Sequence, residues 1–256
     1  MIMVGLTYFI VIVLASIVGA IVGLGGGVII RPIFDALGYH NVLNIGFFTS
    51  SSIVTMALVS TWRKVKAGMQ VDVKLVLFIA FGAIAGGSIG NLILEHVVYT
   101  LGGTTANQAQ TVLTIIVLFF SIFATDIKHR FSINSNLVCL LLGVLLGCIS
   151  TFLGIGGGPV NVPLMIIFFS MPMKDATTYS IIIIFFAHMS RLITLGTGGH
   201  ELEFEMLPFV IVAAAIGGII GTKVSGILSD NHVKIVYKAT LVAIIIMNIT
   251  NLVFFI

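Results

Sequence analysis

The chain has 256 residues, of which 59% are hydrophobic and only 8% are charged, with 12 Lys and Arg against 9 Asp and Glu. Soluble domains carry about 25% charged residues, so this chain cannot cover itself with a water-facing surface. We therefore predict an all-α, multi-pass protein of the plasma (inner) membrane, with the lipid bilayer as its solvent. The net charge is only +3, and the absence of a cluster of basic residues with aromatics excludes nucleic-acid binding.

Eight apolar runs approach or reach the length of about 20 residues that a helix needs to cross a membrane. They cover residues 2–24, 42–61, 73–94, 108–125, 136–153, 176–195, 206–228 and 233–256. Two shorter apolar pieces, 28–37 and 159–169, would span only about 15 Å as helices. The sequence therefore predicts about eight hydrophobic helices and two half-helices, which are candidates for re-entrant segments.

The chain resembles itself when it is shifted by 131 residues. Gly23, Gly25, Gly26, Gly27 and Pro32 then fall on Gly154, Gly156, Gly157, Gly158 and Pro163, while Gly68, Gly86, Gly87 and Gly90 fall on Gly199, Gly217, Gly218 and Gly221. Nine glycine and proline matches at one offset indicate a tandem duplication, with residues 1–130 and 131–256 as the two membrane repeats. Duplicated halves around a shared midplane site are typical of secondary transporters.

The charges favour inverted repeats over parallel ones. Corresponding joints carry opposite charge: Arg63, Lys64 and Lys66 follow the second run, whereas Glu203 and Glu205 occupy the matching joint. If each glycine triplet turns back inside the bilayer, ten of the twelve basic residues face the cytoplasm, as the positive-inside rule requires. They are Arg63, Lys64, Lys66, Lys74, Lys128, Arg130, Lys174, Lys223, Lys234 and Lys238. Against this stands the first run, which is long enough to cross fully, so parallel repeats stay open.

The glycine triplets at 25–27 and 156–158 predict a binding site for a small anion. Three consecutive glycines tend to break a membrane helix, and Pro32 and Pro163 are expected to reinforce the two interruptions. Unpaired backbone groups are tolerated in a bilayer only where they line a cavity or are buried in protein. The half-helix after each break would direct its N–H groups and positive dipole end into the membrane. The alternative is close helix packing, to which we assign the Gly86-Gly87 and Gly217-Gly218 pairs.

Several polar residues in apolar runs are further candidates for substrate binding. Hydroxyl groups cluster at equivalent places in the second and sixth runs, and asymmetric polar residues lie beside the prolines. The candidates are Thr49 and Ser50 with the adjoining Ser51 and Ser52, Thr178 and Ser180 with the adjoining Thr177 and Tyr179, Asn161, and Arg31. Hydroxyls also commonly bond to the backbone of their own or a neighbouring helix, and an arginine can extend toward the interface instead.

Three titratable residues are candidates for coupling or gating. His188 and Arg191 share one face of the sixth run, where a histidine can couple proton flow to anion movement or stay a neutral hydrogen-bonded group. Arg191 can also be a boundary residue. Asp72 and Glu203 match in the repeat and are expected to cap the third and seventh runs, with gating as the alternative.

Redox and metal chemistry have no support in the sequence. Cys139 and Cys148 lie in one apolar run without a CxxC or Cys/His cluster, which favours two buried free thiols. We therefore expect no cofactor, no metal and no enzymatic activity.

The motifs Gly-Leu-Gly-Gly-Gly at 23–27 and Gly-Ile-Gly-Gly-Gly at 154–158, each followed by a proline, resemble those of the TauE/SafE family. The likeness covers nearly the whole chain and includes the Trp-Arg-Lys joint at 62–64 followed by Gly68. The resemblance implies export of sulfite or organosulfonates across the plasma membrane.

The leading interpretation is a secondary transporter of a small anion that works by alternating access around the two broken helices. An anion channel lined by the same breaks is the alternative, and an intramembrane enzyme is a weaker one. The expected partners are the anionic substrate and the lipid bilayer, with homo-oligomerisation left open.

Overall fold

A computed structural model of the chain describes residues 2–127, 131, 135–153, 157–198 and 202–254. Within these ranges the chain forms ten α-helices and no strand. The helices are α1 (Ile2–Val22), α2 (Gly27–Leu37), α3 (Val42–Lys66), α4 (Val73–Leu101), α5 (Gly103–Ala124), α6 (Asn136–Leu153), α7 (Gly158–Phe169), α8 (Met173–Thr197), α9 (Leu207–Ile227) and α10 (Asp230–Phe254).

Seven of the described helices are long and apolar enough to cross a membrane, namely α1, α3, α4, α6, α8, α9 and α10. Helix α5 has 22 residues, of which Gln108–Ala124 form the apolar part. Helices α2 and α7, with 11 and 12 residues, are the two predicted short helices. The prediction of an all-α multi-pass membrane protein is confirmed, while the number of crossings stays a prediction.

Helices α1 and α2 form a hairpin, which we call the first hairpin. The ring of Tyr8 on α1 stacks on Phe34 of α2 at 3.7 Å, and its hydroxyl lies 2.7 Å from Nδ1 of His40, just beyond α2. Near the tip, a Cβ atom placed on Gly19 would lie 2.3 Å from the backbone nitrogen of Gly26. Helix α2 therefore runs back along α1 at backbone contact distance.

Helices α6 and α7 form the second hairpin. The backbone N–H of Phe131, before α6, donates to the carbonyl of Ile167 near the end of α7 at 2.7 Å. The hydroxyl of Ser170 donates to the carbonyl of Phe131 at 2.9 Å. Helix α7 therefore returns to the face of the molecule from which α6 starts.

The two hairpins enter the molecule from opposite faces. Helices α3 and α8 are antiparallel, since Ser50 pairs with His188 and Lys64 with Thr178. One face, which we call the basic face, holds the ends of α3 and α5 and the starts of α4, α6, α8 and α10. Its described cations are Arg63, Lys64, Lys66, Lys74, Lys174, Lys223, Lys234 and Lys238. The opposite face, the acidic face, holds the start of α1 and the joints before α3 and α9, with Glu203 and Glu205.

Glycines let helices that are distant in the sequence pack closely. A Cβ atom on Gly86 of α4 would lie 2.0 Å from the carbonyl oxygen of Val144 on α6. The 131-residue offset pairs Gly86 with Gly217 and Val144 with Val13, and these two residues make the same contact. A Cβ atom on Gly217 of α9 would lie 2.7 Å from the carbonyl oxygen of Val13 on α1. Close approach of this kind is how small residues stabilise helix pairs in membranes.

Candidate functional site

The two glycine breaks touch each other inside the molecule. A Cβ atom on Gly158, the first residue of α7, would lie 2.4 Å from Cα of Leu24 and 2.7 Å from the carbonyl oxygen of Gly23. Leu24 and Gly23 belong to the break between α1 and α2 and are fully buried or nearly so. We call this contact between the two breaks the junction. Only a glycine at 158 leaves room for it.

Both half-helices begin at the junction without a capping side chain. Their N-cap residues, Gly26 and Gly157, are left-handed with φ of 71° and 67°, a conformation that favours glycine. Neither helix has a side-chain cap hydrogen bond. Each start therefore presents the positive end of a helix dipole, the arrangement that binds anions. In α7 the free backbone donor is the N–H of Gly158, because Pro159 has no N–H and the next two N–H groups donate to the carbonyl of Gly157.

Helices α3 and α8 pack against the first break. The hydroxyl of Ser180 donates to the carbonyl of Gly23 at 2.7 Å, and a Cβ atom on Gly23 would lie 2.7 Å from Cα of Thr177. On the other side, a Cβ on Gly27 would lie 3.1 Å from the methyl group of Thr49 and 2.5 Å from Ile53. The predicted hydroxyls Thr49 and Ser180 thus both lie at the first break.

Buried polar atoms without a hydrogen-bond partner are concentrated in the elements that meet at the junction. Within the described residues they are Ser16 Oγ, one guanidinium nitrogen of Arg31, Thr49 Oγ1, Ser52 Oγ, Thr61 Oγ1, Ser150 Oγ, both amide atoms of Asn161 and Nε2 of His188. A buried donor without a partner costs about 1–3 kcal/mol. Those on Thr49, Ser150 and Asn161 belong to residues that lie against the glycine breaks, and they indicate a site that a polar ligand completes.

Arg31 connects the first hairpin to the second. Its Nε lies 3.7 Å from the carboxylate of Asp35, one turn further along α2. One terminal nitrogen donates to Oε1 of Gln110 on α5 at 3.4 Å, and the Gln110 amide donates to the carbonyl of Phe152 at the end of α6. The other terminal nitrogen is buried without a partner, so Arg31 can still donate a hydrogen bond from it to a ligand.

Asn161 is the corresponding polar group of the second hairpin. It lies in the first turn of α7, is 1% exposed, and bonds through neither amide atom. A Cβ atom on Gly157 would lie 3.4 Å from its Oδ1 and 2.7 Å from the hydroxyl oxygen of Ser150. Asn161 and Ser150 therefore flank the start of α7 together.

The pair His188 and Arg191 lies between the junction and the acidic face. Nδ1 of His188 is 3.1 Å from the hydroxyl oxygen of Ser50. The guanidinium of Arg191 packs on Gly46 of α3, where a Cβ atom would lie only 2.8 Å away. Arg191 is close enough to Arg31 for the two positive charges to repel each other.

Two predicted residues lie away from the junction, on the basic face. Thr178 accepts a hydrogen bond from Nζ of Lys64 at 2.9 Å and donates to the carbonyl of Lys174. Asp72 caps α4, as expected, by accepting from the N–H of Leu75 at 3.1 Å. Gly156, a third predicted site residue, falls outside the described residues.

The expectation that Glu203 caps the seventh run is wrong. The N-cap of α9 is Met206, and no side chain caps that helix. The Glu203 carboxylate instead accepts from the Asn44 amide at 2.7 Å and lies 3.2 Å from Nε2 of His40. It bridges the starts of α3 and α9 because both helices begin on the acidic face.

The expected role of the prolines is also wrong, since Pro32 and Pro163 lie inside α2 and α7 and neither helix stops there. A proline cannot donate to the carbonyl four residues earlier, so Pro163 frees the carbonyl of Pro159. That oxygen accepts from the hydroxyls of Ser121 and Tyr237 instead. The glycines alone make the breaks.

Gln110 and Ser150 are site residues that the sequence does not predict. Gln110 lies at the polar start of the fourth run and the sequence does not single it out, although it is 6% exposed and its side chain bridges Arg31 to α6. For Ser150 one sequence feature could have indicated the role: it lies one turn before the second glycine motif. In the structure its side chain lies against Gly157.

This fold, a bundle of apolar helices with two glycine-broken hairpins meeting inside it, is that of a multi-pass membrane transporter. The family described as "Sulfite exporter TauE/SafE" matches residues 8–248. The chain therefore belongs to the TauE/SafE family.

Relatives of the chain carry membrane transporter names. It is 23% identical to "Probable membrane transporter protein MJ0441" of Methanocaldococcus jannaschii, with 89% of each chain covered. It is 22% identical to "Probable membrane transporter protein YunE" of Bacillus subtilis, over 90% of this chain and 92% of that one. "Probable membrane transporter protein MamO" of Paramagnetospirillum magneticum is 29% identical over 118 residues, and there the chain covers only 18% of its relative.

Proposed function

We propose that this transporter exports a small anion, sulfite or an organosulfonate, by alternating access around the junction. The observation that supports this most is the contact of the α7 start, at Gly158, with Gly23 and Leu24 of the break that precedes α2, with unpartnered buried polar atoms on the same elements. Two positive dipole ends directed at one place favour a negative ligand. The substrate class itself is supported by the family description.

The anion would be held by three kinds of donor. Backbone N–H groups at the starts of α2 and α7 supply the dipole field, and the free guanidinium nitrogen of Arg31 supplies a full charge. The Asn161 amide and the Thr49 hydroxyl add neutral hydrogen bonds. Thr49 lies on α3 and the other groups lie on the two hairpins, so binding would draw α3 and both hairpins toward one ligand.

The two halves, residues 1–130 and 131–256, would be inverted repeats. The opposite entry faces of the hairpins and the matched Gly86–Val144 and Gly217–Val13 contacts support this relation. By the positive-inside rule the basic face would be cytoplasmic. Export toward the acidic face then follows the membrane potential, which contributes about 2.3 kcal/mol per elementary charge at 100 mV.

The contacts on the basic side support a state closed toward the cytoplasm. Lys64 on α3 bonds to Thr178 on α8, and Ser60 on α3 accepts from Thr222 on α9 at 2.8 Å. These bonds join α3 to both neighbours between the junction and the basic face. Alternating access would require them to open when the anion enters from the cytoplasm.

Flux measurements on the purified chain in liposomes would test this proposal. We expect saturable uptake of radiolabelled sulfite, with competition by methanesulfonate and thiosulfate that exceeds competition by acetate. Acceleration of uptake by unlabelled sulfite on the opposite side would indicate an alternating carrier. Rates beyond those of a conformational cycle would indicate the channel alternative, and chemical conversion without flux would contradict transport.

A further inference from the structure

A second polar cleft lies between α4, α6 and α8, beside the junction and toward the acidic face. Arg191 and Ser190 of α8, Gly87 and Asn91 of α4, and Thr151 of α6 line it. The cleft and its mouth contain about 190 Å³ free of protein atoms. That figure includes the open space at the mouth.

The cleft has an unusual balance of charge. No carboxylate lines it, and Arg191 has no hydrogen bond or ion pair with any residue that the structure describes. The positive charge of Arg31 acts unfavourably on that of Arg191. A guanidinium inside a membrane bundle without a counter-ion calls for an anionic partner.

The remaining polar groups of the cleft complete a set of donors. The hydroxyls of Thr151 and Ser190 belong to residues that line the cleft, where they can bond to a ligand. The Asn91 amide uses one of its hydrogens on Glu95 and keeps the second. A guanidinium fork with two hydroxyls and an amide matches the three oxygens of a pyramidal or tetrahedral oxyanion.

Gly87 keeps this cleft open, whereas its neighbours serve helix packing. Cβ atoms on Gly86 and Gly90 would lie 2.0 and 2.4 Å from the carbonyl oxygens of α6, so these two glycines let α4 and α6 touch. A Cβ on Gly87 would meet only the Thr151 hydroxyl oxygen, at 3.2 Å. Gly86 therefore serves helix packing, whereas Gly87 also lines the cleft.

The positions 131 residues away are packed shut. Gly87 corresponds to Gly218, which packs on Met56, while Arg191 and Asn91 correspond to Ser60 and Thr222, whose hydroxyls bond to each other at 2.8 Å. The equivalent space on the basic side is thus filled by neutral side chains. At these matched positions, all within the described residues, the open cationic cleft lies on the acidic side.

We propose that the cleft at Arg191 is a second anion site, which takes a small sulfur oxyanion or sulfonate on its way between the junction and the acidic face. The inference rests on the proposed function. Arg191 supplies the charge, Thr151, Ser190 and Asn91 supply hydrogen bonds, and Gly87 leaves the space. Repulsion between Arg31 and Arg191 when both sites are empty would be relieved by an anion at either one.

Equilibrium titration of the full chain in nanodiscs, with methanesulfonate and sulfite as separate probes, tests the second site. We expect two binding steps in the unaltered chain. Arg191→Gln should weaken one step at least about tenfold, as expected for a lost charged hydrogen bond, and leave the other in place. Arg191→Lys should show an intermediate loss, because it keeps the charge without the planar fork.

Gly87→Ala tests the space without changing charge, and it should weaken the same step as Arg191→Gln. Two control variants should leave both binding steps unchanged. Gly226→Ala changes a helical glycine with open space around it, and Lys66→Gln changes an exposed cation on the basic face. Thermal unfolding of each variant checks that the bundle is intact.

The outcomes separate the second site from the proposed function. A single binding step that Arg191→Gln leaves unchanged, with flux intact, would overturn the cleft and leave the transporter proposal standing. Absence of both binding and flux would overturn both. Nanodiscs with and without anionic lipid distinguish a lipid headgroup from a free anion as the ligand of Arg191. If Arg191→Gln changes the binding of anionic lipid and not that of sulfite or methanesulfonate, the proposal of a substrate site is wrong.

Discussion

The first and second hairpins share a backbone and differ in charge. Both start a half-helix at a left-handed glycine without a side-chain cap. The first hairpin carries Arg31, paired loosely with Asp35, whereas the second carries the neutral Asn161. In the proposed anion site the two helix starts would supply the dipoles, while Arg31 would neutralise the charge of the anion and Asn161 would donate a hydrogen bond.

Valine at either N-cap should have the largest effect. In Gly26→Val and Gly157→Val a β-branched residue is forced into the left-handed region, which costs about 1–3 kcal/mol and displaces the half-helix start. Both variants should lose nearly all sulfite flux in liposomes while still inserting into membranes. Gly226→Val is the control. Normal flux in both N-cap variants would refute the idea of a shared central site.

Neutralising Arg31 should show how much of the sulfite affinity depends on the charge of the first hairpin. Arg31→Gln should weaken sulfite binding at the junction at least about tenfold, since hydrogen bonds to charged groups contribute about 1.5–3 kcal/mol. Asp35→Asn should strengthen it, because the carboxylate competes with the anion for Arg31. Titration calorimetry measures both. Unchanged affinity in Arg31→Gln would mean that this arginine only anchors α2 to Gln110.

Asn161→Leu should weaken sulfite binding less than Arg31→Gln does, and it should not destabilise the empty protein. Loss of a neutral hydrogen bond predicts about three- to tenfold weaker binding. Removal of a buried amide whose atoms have no described partner should leave the thermal midpoint of the empty protein unchanged or raise it. A lower midpoint with normal affinity would give Asn161 a purely structural role.

The smallest predicted effect concerns support of the second hairpin. Tyr237→Phe removes one of the two hydroxyls that satisfy the Pro159 carbonyl, which should lower the free energy of unfolding by about 1 kcal/mol. Flux should fall less than in the glycine variants. Tyr99→Phe, at a ring that is 89% exposed, is the matched control. Equal midpoints for the two variants would contradict the role assigned to Pro163.

Local sequence patterns predicted those parts of the site that depend on neighbours in the chain. The glycine triplets indicated both breaks because left-handed and crowded backbone requires glycine. The bridge from Arg31 through Gln110 to Phe152 could not be predicted, since these residues are separated by up to 121 positions and meet only after the helices pack. The prolines misled because a helix can continue through a proline when other side chains satisfy the freed carbonyl.

The proposed role of Gly87 in the cleft could not be predicted from the sequence for the same reason. By sequence it is one of a pair of small residues, and only the position of Thr151 distinguishes it from Gly86. The tandem repeat, by contrast, is a pattern of the whole chain, and it remains a prediction that the matched glycine contacts support.

A double-mutant cycle on Arg31 and Asn161 tests most directly whether the two hairpins form one anion site. Sulfite affinity at the junction would be measured by calorimetry for the unaltered chain, Arg31→Gln, Asn161→Leu and the combined variant. If both side chains hold one anion, we predict a coupling energy of about 1 kcal/mol or more. Losses that add within about 0.5 kcal/mol would contradict a shared site.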